Sequence, residues 1–273
     1  MTGGLVILTD QHIESYQRDG FVLVENVVPA EDIGRLRAEA ERLFALDHPG
    51  RVFEKDGKTV RGVHGCHTTG ELFPRLIRLP SLLASAEQLL ASKVYVHQCK
   101  INAKRALSGD TWPWHQDYIF WEQQDGLREP RVVNVALFLD EADEFNGPLL
   151  FVPGSHLQGV IRTERNGSSP DGQAPDWASS LSADLDYALG PEDVARAVGD
   201  RGIRSATGPA GSLLFFDSRI VHASGPNMSP VDRTLFLATY NSVENELADV
   251  PAPRPEFLAA RDNQPLEALH EAL

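Results

Sequence analysis

Cysteine is scarce in this chain, with only Cys66 and Cys99 among 273 residues. Two thiols are too few for a disulfide framework and suit a reducing compartment, and a single bridge between them is possible but not favoured. No segment approaches 18 uninterrupted apolar residues, and Met1–Leu8 lacks the basic start and long apolar run of a signal peptide. We therefore expect a soluble, cytoplasmic protein with no membrane partner.

Basic residues are outnumbered as well. The chain has 25 Lys and Arg against 39 Asp and Glu, a net charge of −14. Such a balance disfavours nucleic acid or an anionic membrane as partner and fits a small, locally recognised substrate. The length is ample for a large core, and β-rich folds of this size often form one unit. We expect a single domain over residues 1–273, and the oligomeric state stays open.

Helical patterns dominate the first third of the chain. A capped helix is predicted from Thr9 to Gly20, and after Pro29 apolar residues recur at helical spacing up to Phe44. A further helix is predicted at Pro80–Leu90. The pair Asp56-Gly57 between extended runs predicts a hairpin.

Short strands dominate the rest. One strand is predicted early, at Phe21–Val24, and the others follow at Val94–Asn102, Arg131–Asp140, Gly147–Val152, Gly211–Phe216, Ile220–His222 and Thr234–Tyr240. Many short strands with turn signals, preceded by helices, indicate a mainly β fold with flanking helices: a jelly roll, the cupin-like double-stranded β-helix. The polar, Gly-, Ser- and Pro-rich segment 163–180 is either a mobile lid or a surface loop.

A metal site is indicated by the aromatic stretch Trp112–Tyr118. It contains His115 and Asp117, and on an extended strand residues two apart point to the same face. His222 offers a third ligand far downstream. Two imidazoles and one carboxylate that leave positions open are typical of non-haem Fe(II) oxygenases. His-x-Asp alone is weak evidence, so the surrounding sequence must support it.

An arginine strengthens this hypothesis. Arg233 follows His222 by 11 residues, across a stretch rich in turn residues, and would start the neighbouring strand if that stretch is a hairpin. A guanidinium there suits a dicarboxylate that chelates the metal at one end, such as 2-oxoglutarate. Ser224 could bind the same carboxylate, and Gln98 and Asn102 share one polar strand face that could contact it. A surface salt bridge is the alternative for Arg233.

The cluster His64, Cys66 and His67 could bind zinc, but its spacing fits no standard zinc pattern. A pocket wall or a hydrogen-bonded core is the favoured interpretation.

Nine segments spread over the chain carry a resemblance to known proteins: Glu54–Arg61, Val94–Asn102, Gly109–Trp121, Glu122–Gly126, Asn146–Leu149, Val152–His156, Leu181–Tyr187, Arg254–Asp262 and, within the third, Trp114–Asp117. They resemble the phytanoyl-CoA dioxygenase superfamily of Fe(II)/2-oxoglutarate oxygenases, and within it the bacterial hydroxylases of ectoine and of free amino acids, proline above all.

The resemblance implies hydroxylation of a free L-amino acid, with L-proline at its trans-4 position first, using O2 and releasing succinate and CO2. Carried onto this sequence, it assigns iron to His115, Asp117 and His222, and 2-oxoglutarate to Arg233, Ser224, Gln98 and Asn102. Candidates for contact with the amino acid, argued from its charge and apolar body, are Arg61, His64, His67, Tyr118 and Trp121.

Three alternatives stay open. The same site could act on pipecolate, leucine, ectoine or a carrier-bound amino acid. The chain could instead be a jelly-roll binding protein without catalysis. Zinc hydrolysis is also conceivable from the three metal ligands, but it gives Arg233 no role.

Overall fold

The computed structural model describes residues 8–163, 165, 181, 185–269 and 273. The α-helices are α1 Asp10–Asp19, α2 Ala30–Ala45, α3 Cys66–Thr69, α4 Phe73–Leu76, α5 Pro80–Leu90, α6 Asp117–Phe120 and α7 Pro191–Val198. The strands are β1 Phe21–Val24, β2 Arg51–Phe53, β3 Val60–His64, β4 Val94–Lys104, β5 Trp112–His115, β6 Val132–Phe138, β7 Leu149–Phe151, β8 Arg204–Ala206, β9 Leu213–Asp217, β10 His222–Ser224 and β11 Arg233–Ser242. A π-helix, Trp121–Asp125, continues α6, and a 3₁₀ turn covers Ser155–Gln158.

The strands form two antiparallel sheets. The larger has seven strands in the order β1-β9-β6-β11-β4-β3-β2, and the smaller has four in the order β5-β10-β7-β8. Strands distant in sequence are neighbours in both sheets, as in a jelly roll. The predicted mainly β fold with flanking helices is confirmed.

The helices cover the outer face of the larger sheet. Along α2, Ile33, Leu36 and Leu43 are buried at helical spacing and join one apolar cluster with residues of α5 and of the central strands. Phe236 of β11 stacks on Phe73 of α4, with 5.2 Å between ring centroids. This layer buries most of the apolar side chains and leaves the opposite sheet face free for other groups.

The inner face of the larger sheet meets the smaller sheet. Apolar contacts at one end include Phe138, Phe151, Phe216 and Leu235. Along β4 the side chains alternate, so Ile101 packs with the outer cluster while Lys100 and its i ± 2 neighbours point inward. The predicted polar face of this strand therefore lies between the two sheets.

The predicted elements agree with the observed ones in part. The hairpin at Asp56-Gly57 is present, with β2 paired to β3. The strand predicted at 220–222 begins at His222 instead, because Ile220 closes a turn by donating to Asp217 O. Helix α7 and strand β8 were not predicted, since α7 is only eight residues long and β8 only three.

Three further expectations concern the whole chain. Cys66 and Cys99 are free thiols whose Sγ atoms lie 3.1 Å apart. No helix in the described ranges is both long and apolar enough to cross a bilayer. Of the predicted lid or surface loop at 163–180, all but Thr163 and Arg165 lies outside the described residues.

Candidate metal centre and active-site cavity

Three potential metal ligands converge where β5 meets β10. His115 and His222 are directly paired across these antiparallel strands, and Asp117 is the first residue of α6. The His115 Nε2 to Asp117 Oδ1 distance is 3.5 Å, and the His222 Nε2 to Asp117 Oδ2 distance is 3.8 Å. Within the described part of the chain, this is the one set of three or more such side chains close enough to share an ion. His64, Cys66 and His67 form no such set there.

The local backbone explains the convergence, and it differs from the expected one. His115 and Asp117 were expected on one continuous strand, but β5 ends at His115 and the chain turns into α6 after the extended Gln116. The Gln116 side chain points away from the site, where its amide binds the carbonyls of Gly159 and Arg219 and accepts from Ile161 N–H. This anchor fixes the turn that brings Asp117 beside His115.

Backbone carbonyls orient both imidazoles. His115 Nδ1 lies 2.6 Å from Pro113 O, and His222 Nδ1 lies 3.0 Å from Ile220 O. A carbonyl only accepts, so each Nδ1 carries the proton and each Nε2 keeps a lone pair for a metal. Asn134 Nδ2 donates to Asp117 Oδ2 at 2.8 Å, and Thr239 Oγ1 donates to Asn134 Oδ1 at 2.7 Å, so the carboxylate is also held in place.

The electrostatics favour the protonation states that bind a cation. Burial, together with His115, lowers the pKa of His222 to about 4. Burial opposes ionisation of Asp117, but His222, His115 and Lys100 outweigh it and lower the pKa of that carboxyl. At neutral pH the centre therefore offers the neutral imidazole of His222 and the carboxylate of Asp117. Together with the imidazole of His115 they form a donor set that suits Fe(II) and leaves further coordination positions open.

The three ligands line a cavity between the sheets. Its polar and charged walls include His64, Gln98, Lys100, Asn102, Arg233 and Arg254. Its apolar walls include Trp112, Phe120, Trp121, Leu149, Leu181, Leu185, Phe216, Ala223, Leu235 and Leu237. The cavity therefore combines a metal centre, several cations and a leucine-rich surface.

Arg233 begins β11 inside this cavity. It is 2 % exposed, and one Nη donates to Gly147 O and, at 3.2 Å, to Ser224 Oγ. Its Nε has no hydrogen-bond partner among the described residues. Burial lowers the pKa of Arg233 to about 9, which still leaves it charged at neutral pH. A buried guanidinium with a donor to spare is able to bind a carboxylate. Its burial excludes the surface ion pair that was the alternative.

Gln98 and Asn102 both line this cavity from β4. Gln98 Nε2 donates to Leu258 O, which leaves its Oε1 available as an acceptor. Six of the seven residues predicted for the metal and 2-oxoglutarate thus line one cavity. The seventh, Ser224, is not part of the lining but accepts a hydrogen bond from Arg233 and donates one to Gly147 O.

The five candidates for substrate contact are placed in two groups. His64 and Trp121 line the cavity, whereas Arg61, His67 and Tyr118 do not.

Each of the other three has partners elsewhere. Arg61 donates to Glu54 and to Thr111 O and stacks on Trp112 at 3.7 Å. Tyr118 donates its hydroxyl to Arg128 O, and His67 lies against Cys99. Arg61 therefore supports the cavity wall from behind, since Trp112 stands between.

Sequence reasoning gave no role to two cavity cations, Lys100 and Arg254. Lys100 had a signal, because it shares strand parity with Gln98 and Asn102. Arg254 had no signal from strand or helix periodicity, because it follows a Pro-rich stretch that predicts no regular structure, and only the resemblance of Arg254–Asp262 to known hydroxylases included it.

Comparison with known proteins agrees with this geometry. Residues 16–235 match the phytanoyl-CoA dioxygenase family. The chain is 41 % identical to L-proline trans-4-hydroxylase of Streptomyces griseoviridis over 92 % of both chains, and 35 % identical to ectoine dioxygenase of Nocardia farcinica over 94 % of this chain and 86 % of that one.

Solved structures give the same picture. EctD from S. alaskensis with 2-oxoglutarate and 5-hydroxyectoine superposes with a TM-score of 0.79 at 27 % identity, covering 95 % of this chain and 86 % of that chain. The same protein with bound Fe gives a TM-score of 0.80 at 26 % identity, covering 96 % and 87 %. The chain thus belongs to the phytanoyl-CoA dioxygenase family and is a dioxygenase that depends on iron and 2-oxoglutarate.

Proposed function

We propose that the protein hydroxylates a free L-amino acid, converting L-proline and O2 to trans-4-hydroxy-L-proline while 2-oxoglutarate becomes succinate and CO2. One oxygen atom enters the amino acid and the other enters succinate, so the reaction balances without another reductant. The observation that carries the proposal is one cavity in which a metal-binding triad, two buried arginines and a leucine-rich wall face each other.

In this proposal His115, Asp117 and His222 hold Fe(II). Iron supplies the activation of O2 that lets an unactivated C–H bond be oxidised. The chain contributes the orientation: carbonyls direct both imidazoles and Asn134 directs the carboxylate. The apolar walls exclude water from the reacting atoms.

The 2-oxoglutarate site is assigned to Arg233, Ser224, Gln98 and Asn102. Arg233 can donate to a carboxylate, because its Nε has no hydrogen-bond partner among the described residues. Ser224 Oγ accepts from Arg233 and donates its one proton to Gly147 O, so Ser224 holds the guanidinium in place. Gln98 and Asn102 line the wall of β4 beside them, where their amides can bind the remaining oxygens.

Recognition of the amino acid falls to the remaining polar groups of the cavity. Arg254 and Lys100 are cations available for the α-carboxylate. His64 is 3 % exposed, and its Nδ1 has no hydrogen-bond partner in the described part of the chain. Burial, with Lys100 and Arg254 nearby, lowers its pKa well below the ordinary range. A neutral imidazole can accept from the substrate ammonium. Trp121 and the leucines offer an apolar surface to the methylenes of a pyrrolidine ring.

The relatives favour proline over ectoine. Identity to the proline hydroxylase is 41 %, against 35 % or less to the ectoine dioxygenases compared. After Arg233, the next two inward positions of β11 are Leu235 and Leu237, which present apolar side chains to the cavity. An apolar wall suits the saturated ring of proline better than the more polar ring of ectoine.

The test uses purified protein loaded with Fe(II) under anaerobic conditions, then mixed with 2-oxoglutarate, O2 and one candidate substrate at a time: L-proline, L-pipecolate, L-leucine or ectoine. We expect trans-4-hydroxy-L-proline, identified by mass spectrometry and chiral chromatography, with one succinate per product. With ¹⁸O2, one labelled atom should enter each of the two products.

Hydroxylation of another compound with L-proline untouched would refute the substrate and leave the oxygenase chemistry standing. No consumption of 2-oxoglutarate with any substrate would favour a binding protein instead.

A further inference from the structure

A buried ion-pair network lies directly behind the cavity. Asp125, the last residue of the π-helix, is 0 % exposed, and Arg254, which lines the cavity, is 6 % exposed. Arg254 Nε donates to Asp125 Oδ1 at 2.7 Å and Arg254 Nη2 donates to Asp125 Oδ2 at 2.6 Å. His97 Nε2 lies 3.0 Å from the same Oδ2. Neither the binding of iron nor the binding of 2-oxoglutarate gives a role to Asp125, Arg254 or His97.

Within the described ranges Asp125 is the one group that accepts from Arg254, which leaves half of the guanidinium free. Asp125 occupies the side of Arg254 that carries Nε and one N–H of Nη2. A guanidinium has five N–H donors, so the end formed by Nη1 and the second N–H of Nη2 still presents a parallel fork. A second carboxylate can bind that end bidentately, and Arg254 is part of the cavity wall.

The backbone holds the network together. Gly126 follows Asp125 with φ +81°, and a Cβ there would come within 2.3 Å of Ala248 O. Only glycine permits this approach, through which Ala248 N–H donates to Gly126 O at 2.8 Å. The π-helix is thereby docked on the segment that carries Arg254, and the same π-helix begins with the cavity residue Trp121.

We propose that Asp125, supported by His97, is a positioning residue that fixes Arg254 so that its free end binds the α-carboxylate of the amino acid substrate. The inference rests on the proposed function, since it assumes an amino acid in the cavity. Asp125 also neutralises Arg254 in a cavity where Lys100 and Arg233 are further cations. It remains ionised because Arg254 and His97 outweigh burial and lower the pKa of its carboxyl.

The experiment compares an acid with its amide. Calorimetry measures the binding of L-proline and of L-prolinamide to the anaerobic complex of enzyme, Fe(II) and 2-oxoglutarate, and steady-state kinetics give kcat/KM for both. The wild type should prefer the acid. Asp125→Asn should weaken L-proline binding by about tenfold or more and leave L-prolinamide binding unchanged, so the preference collapses.

Two comparisons separate positioning from a general structural role. Glu122→Gln removes another carboxylate of the same π-helix, one that pairs with the exposed Arg162, and should leave the preference unchanged. If Asp125 acts through Arg254, the double variant Asp125→Asn/Arg254→Gln should match Arg254→Gln alone.

Equal losses for acid and amide, or effects of the two substitutions that multiply, would overturn the proposal. If Asp125→Asn does not fold, His97→Gln is the deciding variant, because it keeps the ion pair between Asp125 and Arg254. The preference for the acid over the amide should then fall by a smaller factor. An unchanged preference would contradict the proposal.

If the wild type does not act on L-proline, the proposed function fails separately. The same pair of measurements is then made on the amino acid that is turned over and its amide.

Discussion

The two faces of the β4–β11 strand pair have different roles: one packs against the helices and the other lines the cavity. On the outer face, Ile101 and Phe236 lie opposite each other and pack under the helices. On the inner face, the opposed pairs are Asn102 with Leu235 and Lys100 with Leu237, and all four line the cavity. Successive residues of one strand therefore serve stability and binding in turn, because side chains alternate across a sheet. Substitutions on each face should separate the two properties.

The largest effect is expected on the inner side of the fold, at the metal. His115→Ala removes one of two imidazoles, so iron binding should fail and turnover should drop by at least about a thousandfold. The readouts are iron content by mass spectrometry and succinate formation. The circular dichroism spectrum should be unchanged. Turnover near the wild-type rate would remove His115 from the centre.

An outer-face substitution should show the opposite pattern. Phe236→Ala deletes a buried ring stacked on Phe73 and should lower the free energy of unfolding by about 3–5 kcal/mol in urea titration. The KM for 2-oxoglutarate should not change at a temperature where the variant is folded. A large change in KM with little loss of stability would mean that the faces are not separable.

Acid should lower the stability of the metal-free protein through His222, which lies on β10 and lines the same cavity. The folded-state pKa of His222, about 4, lies below the ordinary value of about 6.5, so the unfolded chain binds the proton more readily. This residue's contribution therefore lowers stability as pH falls from about 6.5 to 4, by up to about 3 kcal/mol. Urea titrations at several pH values measure it. His222→Gln should flatten the profile over that interval, and an unchanged slope would contradict the assignment.

The smallest effect is expected for a substitution that keeps the positive charge of Arg233 but removes the planar shape of its guanidinium. Arg233→Lys retains a cation but not the planar fork, so the KM for 2-oxoglutarate should rise by about tenfold while the stability hardly changes. Steady-state kinetics at saturating L-proline measure it. A KM equal to that of the wild type would show that the bidentate geometry is not used.

The alternation of side chains along a strand explains much of what the sequence could predict. The period-two pattern placed Gln98 and Asn102 on one face of β4, and the structure has them there. The separation of His115 and Asp117 put both on one side, although the chain bends between them and the strand argument covers only the first.

Pairing partners explain what it could not predict. Arg61 was a candidate for substrate contact, but Glu54, across the β2–β3 hairpin, holds it behind Trp112. Arg254 lines the cavity while it is bound by Asp125, 129 residues earlier. Contacts over such separations leave no local pattern in a single sequence.

The direct opposition of His115 and His222 across β5 and β10 has a consequence for how this chain can vary. Their spacing is set by the ladder of backbone hydrogen bonds and not by the connections between strands. Whole loops can lengthen, shorten or be exchanged to admit new substrates without moving the imidazoles. A slip of one residue in either strand, by contrast, would turn an imidazole to the far side. The ladder thus lets the rim of the site diversify while its centre stays constant.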